Sequence, residues 1–321
     1  MSFSIAVITV SFLVGFAMKR GGLCTYAAVF QIIRQRRAER LLVFLGAAAW
    51  ATLTIVPLSW YWPQVASLAR VHDQLALALV GGMVIGIGAW LNKGCVFGTF
   101  VQLVGGNLTY LATLLGMSAG VAVAHHFLLA RMPTASEVSI VSQPGFVAAG
   151  WIMVAGLFVV SLASRAKQWC LGSSLPGSQH HRSRATMIML TLGIGGGFLF
   201  ATVSGWSYAA VIGKTIVKVL DPTTGGPGHL AVLCALAMVL GGILAAVTAG
   251  SFAIRAPRLR PFLYSLVGGV LMSSAAMAVP GGNDGMLLQG IPSLAPHALV
   301  AYLAMVVTML LLVSLSRDKG C

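Results

Sequence analysis

Two cysteines in this chain stand where a thiol can do chemistry. Cys24 comes shortly after Lys19-Arg20-Gly21-Gly22, and Cys95 directly after Asn92-Lys93-Gly94. Each follows an apolar run and precedes a short piece that reads as helix, so each lies at or near a helix N-terminus. A thiol placed there, close to a cation, becomes a better S–H donor or a thiolate. It can then donate to an anion or take part in thiol exchange. For a single cysteine, a small apolar filler is the competing reading. Two at comparable places, each preceded by basic and glycine residues, favour a site. Gly22 and Gly94 would let the backbone turn and let a ligand approach it closely.

The other cysteines do not extend this chemistry. Five in all is an odd number, and no C-x-x-C occurs, so neither a disulfide scaffold nor a zinc site is expected. Cys234 falls inside an apolar segment as a small packing residue. Cys170 and Cys321 fall in segments expected to be cytoplasmic, where thiols stay reduced. His125, His126, His180 and His181 show no ligand spacing, and His297 after Pro296 reads as structural. No catalytic residue, metal or cofactor is expected.

The elements that must position the thiols are apolar. Of 321 residues, 58% are hydrophobic and 8% charged, against about 25% charged in soluble domains. Apolar stretches recur at 3–18, 41–60, 75–91, 108–130, 146–163, 186–203, 230–253, 262–279 and 294–315. A bilayer crossing takes roughly 20 residues, so this reads as an all-α polytopic membrane protein with nine transmembrane helices. The first stretch lacks a basic leader and a small-residue cleavage site, which makes it a retained helix.

The net charge of +14 could suggest nucleic acid, but its distribution excludes that partner. Sixteen of the twenty basic residues fall in loops on one side of the expected crossings; Arg70, Arg131, Lys214 and Lys218 fall on the other. This positive-inside pattern places the N-terminus outside and the C-terminus in the cytoplasm, with anionic lipid as a partner. Lys19 and Arg20 would snorkel to headgroups by default. Lys93 is a stronger site candidate, because ionisable groups at membrane depth are costly.

The chain also repeats. At an offset of 182, Gly15-Phe16 matches Gly197-Phe198, and Tyr26-Ala27-Ala28-Val29 matches Tyr208-Ala209-Ala210-Val211. At an offset of 187, Gly81-Gly82 matches Gly268-Gly269, and Gly94 and Gly98 match Gly281 and Gly285. Trp206 falls opposite Cys24, and Gly282 opposite Cys95, with Asn283 and Asp284 beside it. Residues 1–130 then form a first repeat and 186–315 a second, joined by a linker helix at 146–163. An odd linker inverts the second repeat, giving a 4+1+4 arrangement of the kind found in secondary transporters.

Each matched motif interrupts the apolar pattern and opens a short piece, at about 23–33, 95–104, 205–219 and 283–290. Such pieces suit half-membrane helices, tolerated at membrane depth where protein or a water-lined cavity surrounds them. A helix N-terminus carries about half a positive charge, so four converging ends would supply about two, the right order for a dianion. Kinks and turns without a ligand are the competing reading. The candidate substrate-binding residues are Cys24, Cys95, Lys93, Gly22, Gly94, Gly282, Asn283 and Trp206. Asp284 has the wrong sign for an anion and would pair with a lysine or cap its helix.

These residues resemble the YeeE/YedE family of inner-membrane sulphur-transport proteins over nearly the whole chain. "GFAMKRGGLCTYAA" and "GGMVIGIGAWLNKGCVFGTF" carry the resemblance most strongly. It implies nine membrane helices with four half-membrane helices, and uptake of thiosulfate or another small sulphur compound along a narrow central path. It further implies that cysteines pass the anion along by transient S–H···S hydrogen bonds, with Cys24 and Cys95 matching two of them. Where the third would be expected, this chain has "PGGNDGM", and Thr99-Phe100 replaces a Gly-His ending. An amide such as Asn283 could donate to an oxyanion face and favour sulfite or sulfate-like ligands.

Other functions leave their own marks. A membrane thiol redox protein would need the two cysteines within about 7 Å, Cα to Cα. A channel, or a subunit docking a cytoplasmic sulphur-carrier protein, would present the Arg/His-rich segment 165–184. No G-x-x-x-x-G-K-[ST] occurs, which argues against an ATP-driven pump in this chain.

Overall fold

The structure is a computed structural model that describes residues 2–128, 139–172, 185–279 and 281–316. Among them nine helices are long and apolar enough to cross a membrane, and there is no strand. A single bridge joins Asn107 to Arg255. The chain is therefore a multi-pass helical membrane protein.

Six helices form the first part: α1 (Ser2–Gly21), α2 (Thr25–Gln35), α3 (Glu39–Tyr61), α4 (Leu75–Leu91), α5 (Val96–Leu103) and α6 (Leu111–Leu128). The next, α7 (Phe146–Gly172), stands at the periphery against α3, with Phe146, Met153, Leu157 and Val160 exposed. Then come α8 (Ala185–Thr202), which widens to a π turn at Thr191–Gly196, α9 (Tyr208–Leu220), α10 (His229–Thr248) and α11 (Leu259–Ala278). The last two are α12, a short turn Gly282–Gly285 continued as a π turn over Met286–Gly290, and α13 (Pro296–Leu315). Beyond residue 172 the Arg/His-rich segment lies outside the described residues, as does Cys321.

Local chemistry sets the ends. Lys19 and Arg20 fall in the last turn of α1, where a cation complements the helix dipole. Ser207 caps α9 by accepting from Ala210 N–H at 3.3 Å. Pro296 opens α13, where its missing N–H costs nothing.

The helices pack in pairs. α6 runs along α11 and α4 along α13; α1 runs along α10 and α3 along α8; α4 also crosses α11. Small residues set these crossings. A Cβ on Gly82 of α4 would overlap the Ala301 carbonyl of α13, and one on Gly269 of α11 would overlap the Thr113 carbonyl of α6. Likewise Gly15 of α1 abuts Met238 of α10, and a Cβ on Gly197 of α8 would come 3.0 Å from Ala51 Cα of α3. Close backbone approach through small residues is how helices gain dispersion contact where lipid supplies no hydrophobic drive.

Candidate functional site

Cys24 and Cys95 are the N-cap residues of α2 and α5, both with extended backbone. Their carbonyls accept the first helical bonds, from Ala28 N–H at 2.9 Å and Thr99 N–H at 2.8 Å. The thiols meet: the Cys95 S–H donates to Cys24 Sγ over 3.9 Å, and Thr25 N–H donates to Cys95 Sγ at 3.2 Å. Cys95 has no exposed surface and Cys24 only 7%. Gly98 makes this meeting possible, because a side chain there would run into Cys24 Sγ.

The turn that carries Cys95 is held from below by Asn92. Its amide donates to the Gly94 carbonyl at 2.8 Å and to Thr99 Oγ1 at 2.9 Å, and it accepts from Thr113 Oγ1 at 2.7 Å. A buried amide with its polar atoms engaged is a rigid strut. The sharp turn falls on Lys93 rather than on Gly94, with φ of +52° at the lysine. That reversal points Lys93 outward. Its side chain is exposed and lines a cleft with Arg255 and Arg258 instead of joining the thiols. Gly22, Gly281 and Gly282 do take positive φ, at +56°, +94° and +56°.

The second pair of short helices adjoins the first. Tyr208, the first residue of α9, donates its hydroxyl to the Val96 carbonyl in the opening turn of α5 at 2.7 Å. Its ring lies 6.0 Å from that of Phe100, and α12 touches α5. The buried Asp284 carboxyl lies beside the Ser207 hydroxyl and the N–H groups of Asp284 and Gly285. That neighbourhood joins the starts of α12 and α9, and no lysine pairs with Asp284 among the described residues.

Around these helix starts several buried polar atoms find no partner among the described residues. They are Thr25 Oγ1, Trp206 Nε1, Tyr302 Oη and both amide atoms of Asn283. The Thr25 and Tyr302 hydroxyls face each other without forming a hydrogen bond. A buried polar group without a partner costs about 1–3 kcal/mol, and such groups are few in folded proteins.

Of the sequence candidates, Cys24, Cys95, Gly94, Gly282, Asn283 and Trp206 lie at the starts of the short helices, and Gly22 lies at the turn into α2. Sequence reading missed Thr25, Asn92, Ser207, Tyr208 and Tyr302. Tyr208 begins the repeated Tyr-Ala-Ala-Val and could have been marked by it. Tyr302 sits inside an apolar helix and carried no signal. Elsewhere, Cys234 packs inside α10, and His297 meets His72 edge to face at 4.9 Å, a structural role. Lys19 donates to the Val101 carbonyl at 3.1 Å, while Arg20 lies over Phe16 and donates to Thr248.

A family described as sulphur transport matches residues 20–311. The chain is also similar to the thiosulfate transporter TsuA of Spirochaeta thermophila, at 28% identity over 89% of this chain and 91% of that one.

Proposed function

The chain belongs to the sulphur-transport family, and from that premise we propose that it carries thiosulfate inward across a bacterial inner membrane. It is a membrane transporter for a sulphur anion and not an enzyme. The finer reading rests above all on one observation: two buried thiols 3.9 Å apart at the starts of two short helices. Thiosulfate has a soft terminal sulphur and a face of three oxygens. S–H donors suit the first. Hard donors suit the second, and the unpartnered groups of Thr25, Trp206 and Asn283 are of that kind.

The anion must lose water to enter, at a cost of tens of kcal/mol for a bare ion in an apolar medium. The N-termini of α2, α5 and α9 offset part of this with backbone N–H groups and dipoles. In this reading the short helices are half-membrane elements around a central path. Gly22, Gly94 and Gly282 let its backbone pass close to the anion.

The inverted repeat is part of the same proposal, with 1–130 and 186–315 related about a linker at 146–163. The crossings support it, because exchanging the halves turns α4 on α13 into α11 on α6, and α1 on α10 into α8 on α3. The glycines at these crossings, Gly82 with Gly269 and Gly15 with Gly197, are the residues the sequence offsets pair. The N-terminus is proposed outside and the C-terminus in the cytoplasm, where a sulphur-carrier protein could take the product.

Asn283 favours a second substrate reading, sulfite, because an amide donor serves an oxygen face without a third thiol. Uptake of radiolabelled thiosulfate into cells lacking their own importers, with sulfite and sulfate as competitors, tests both. Thiosulfate uptake that Cys24→Ala and Cys95→Ala each abolish, at normal membrane abundance, is the expected result. Uptake unchanged in both variants would sink the thiol path.

A further inference from the structure

A second polar site lies outside the thiol path. Where the turn between α4 and α5 meets the segment before α11, a cleft of about 890 Å³ opens. Lys93, Arg255, Arg258 and Arg260 line it together with Trp90 and Tyr264, and no acidic side chain is among its lining residues. The backbone holds the cations in place. Ala253 N–H donates to the Gly105 carbonyl at 3.0 Å, Arg255 N–H to Gly106 at 2.9 Å, and Leu108 N–H to Arg255 at 3.2 Å. These bonds splice the arginine segment onto the 105–108 turn. Lys93 is set by its positive φ. Trp90 Nε1 is buried and has no partner among the described residues.

Arg255, Arg258 and Arg260, with no acidic side chain among the lining residues, give the cleft a positive potential that favours an anion. Leu108, Leu111, Leu259 and Leu263, in the same two segments, are exposed, which is where acyl chains would lie. Tryptophan and tyrosine beside arginine are typical of the membrane–water boundary. Guanidinium groups match phosphate oxygens in bidentate fashion, and basic pockets at the cytoplasmic face take anionic headgroups.

We infer that this cleft binds a phosphate group, that of an anionic phospholipid headgroup. The site is independent of the transported anion. It does adjoin the Asn92 strut that holds the Cys95 turn, so an occupied cleft steadies that turn.

Native mass spectrometry of the full chain in neutral detergent tests this. Phosphatidylglycerol, phosphatidylcholine, inorganic phosphate and thiosulfate are the probes, against wild type, the double variant Arg255→Gln/Arg258→Gln, and Lys93→Asn. Asparagine tolerates positive φ and keeps the turn, so Lys93→Asn remains informative if the double variant does not fold. The expected result is retained phosphatidylglycerol but not phosphatidylcholine, with affinity falling about fivefold per removed charge and about 25-fold in the double variant. Inorganic phosphate binding as tightly as phosphatidylglycerol supports the phosphate site with a soluble source. Equal retention of both lipids, or variants that bind as wild type does, overturns the inference. So does thiosulfate that displaces the lipid better than phosphate, because the cleft would then be a vestibule for the transported anion.

Discussion

The two halves of the candidate site are built differently. Around the starts of α2 and α5 the polar groups mostly engage one another: thiol with thiol, Thr25 N–H with Cys95, and Asn92 with Gly94, Thr99 and Thr113. Around α9 and α12, Asp284 lies beside the Ser207 hydroxyl, but Trp206 and Asn283 are buried with polar atoms that reach nothing among the described residues. The two regions thus carry unequal chemistry. The first half closes most of its polar groups on one another and leaves the Thr25 hydroxyl open, whereas the second leaves both the Trp206 indole N–H and the Asn283 amide open.

The largest expected effect breaks the first half. Cys95→Ala removes a donor to Cys24 and strands the Thr25 N–H, a loss of about 1–3 kcal/mol in stability as well as of uptake. Cys24→Ala removes only the acceptor, so it should lose uptake with a smaller fall in thermal stability. Melting temperature in detergent beside thiosulfate uptake in cells separates the two. Equal stability losses would mean that the Thr25 bond carries no weight. Oxidation sharpens the point. The two free thiols are close enough that a thiol oxidant should join them after a small shift, blocking uptake until dithiothreitol restores it.

A smaller effect of opposite character belongs to the second half. Asn283→Leu and Trp206→Phe each remove a group that the resting protein leaves unpartnered. Stability should hold or rise by about 1 kcal/mol, since a buried unsatisfied group disappears. Uptake should fall by about tenfold or more, the worth of one hydrogen bond to a charged ligand. The competition profile should shift in step, with sulfite and sulfate losing more than thiosulfate. If both variants melt lower and transport normally, these residues pack the fold and the contrast between halves disappears.

How much of this could be read from sequence depends on the scale of the interaction. Membrane helices follow from apolar length alone, so the crossings from 3–18 to 294–315 correspond closely to the helices found. The short helices follow from glycine and polar residues interrupting that length. Cys24 and Cys95 stood out because each occupied a recognisable turn. Contacts between distant segments had no such local mark. Nothing around Tyr302 shows that α13 brings it to face Thr25, and nothing in Asn92-Lys93-Gly94 shows that the amide turns inward while the lysine turns out. Those choices come from the packing of α6 and α11 around the break.

The smallest effect tests whether the backbones of the halves are equivalent at all. Gly82 and Gly269 are paired by the sequence offset, and each lets its helix meet a carbonyl of its partner, Ala301 and Thr113 respectively. Alanine at either site forces the helices apart, at a typical overpacking cost of about 1–3 kcal/mol. Two-fold equivalence requires similar losses, read as matching falls in melting temperature for Gly82→Ala and Gly269→Ala. Thr113 also supports Asn92, and through it the Cys95 turn. Gly269→Ala should therefore lower uptake more than Gly82→Ala at equal stability loss. Equal stability with unequal uptake would put the asymmetry in the side chains, on a scaffold common to both halves.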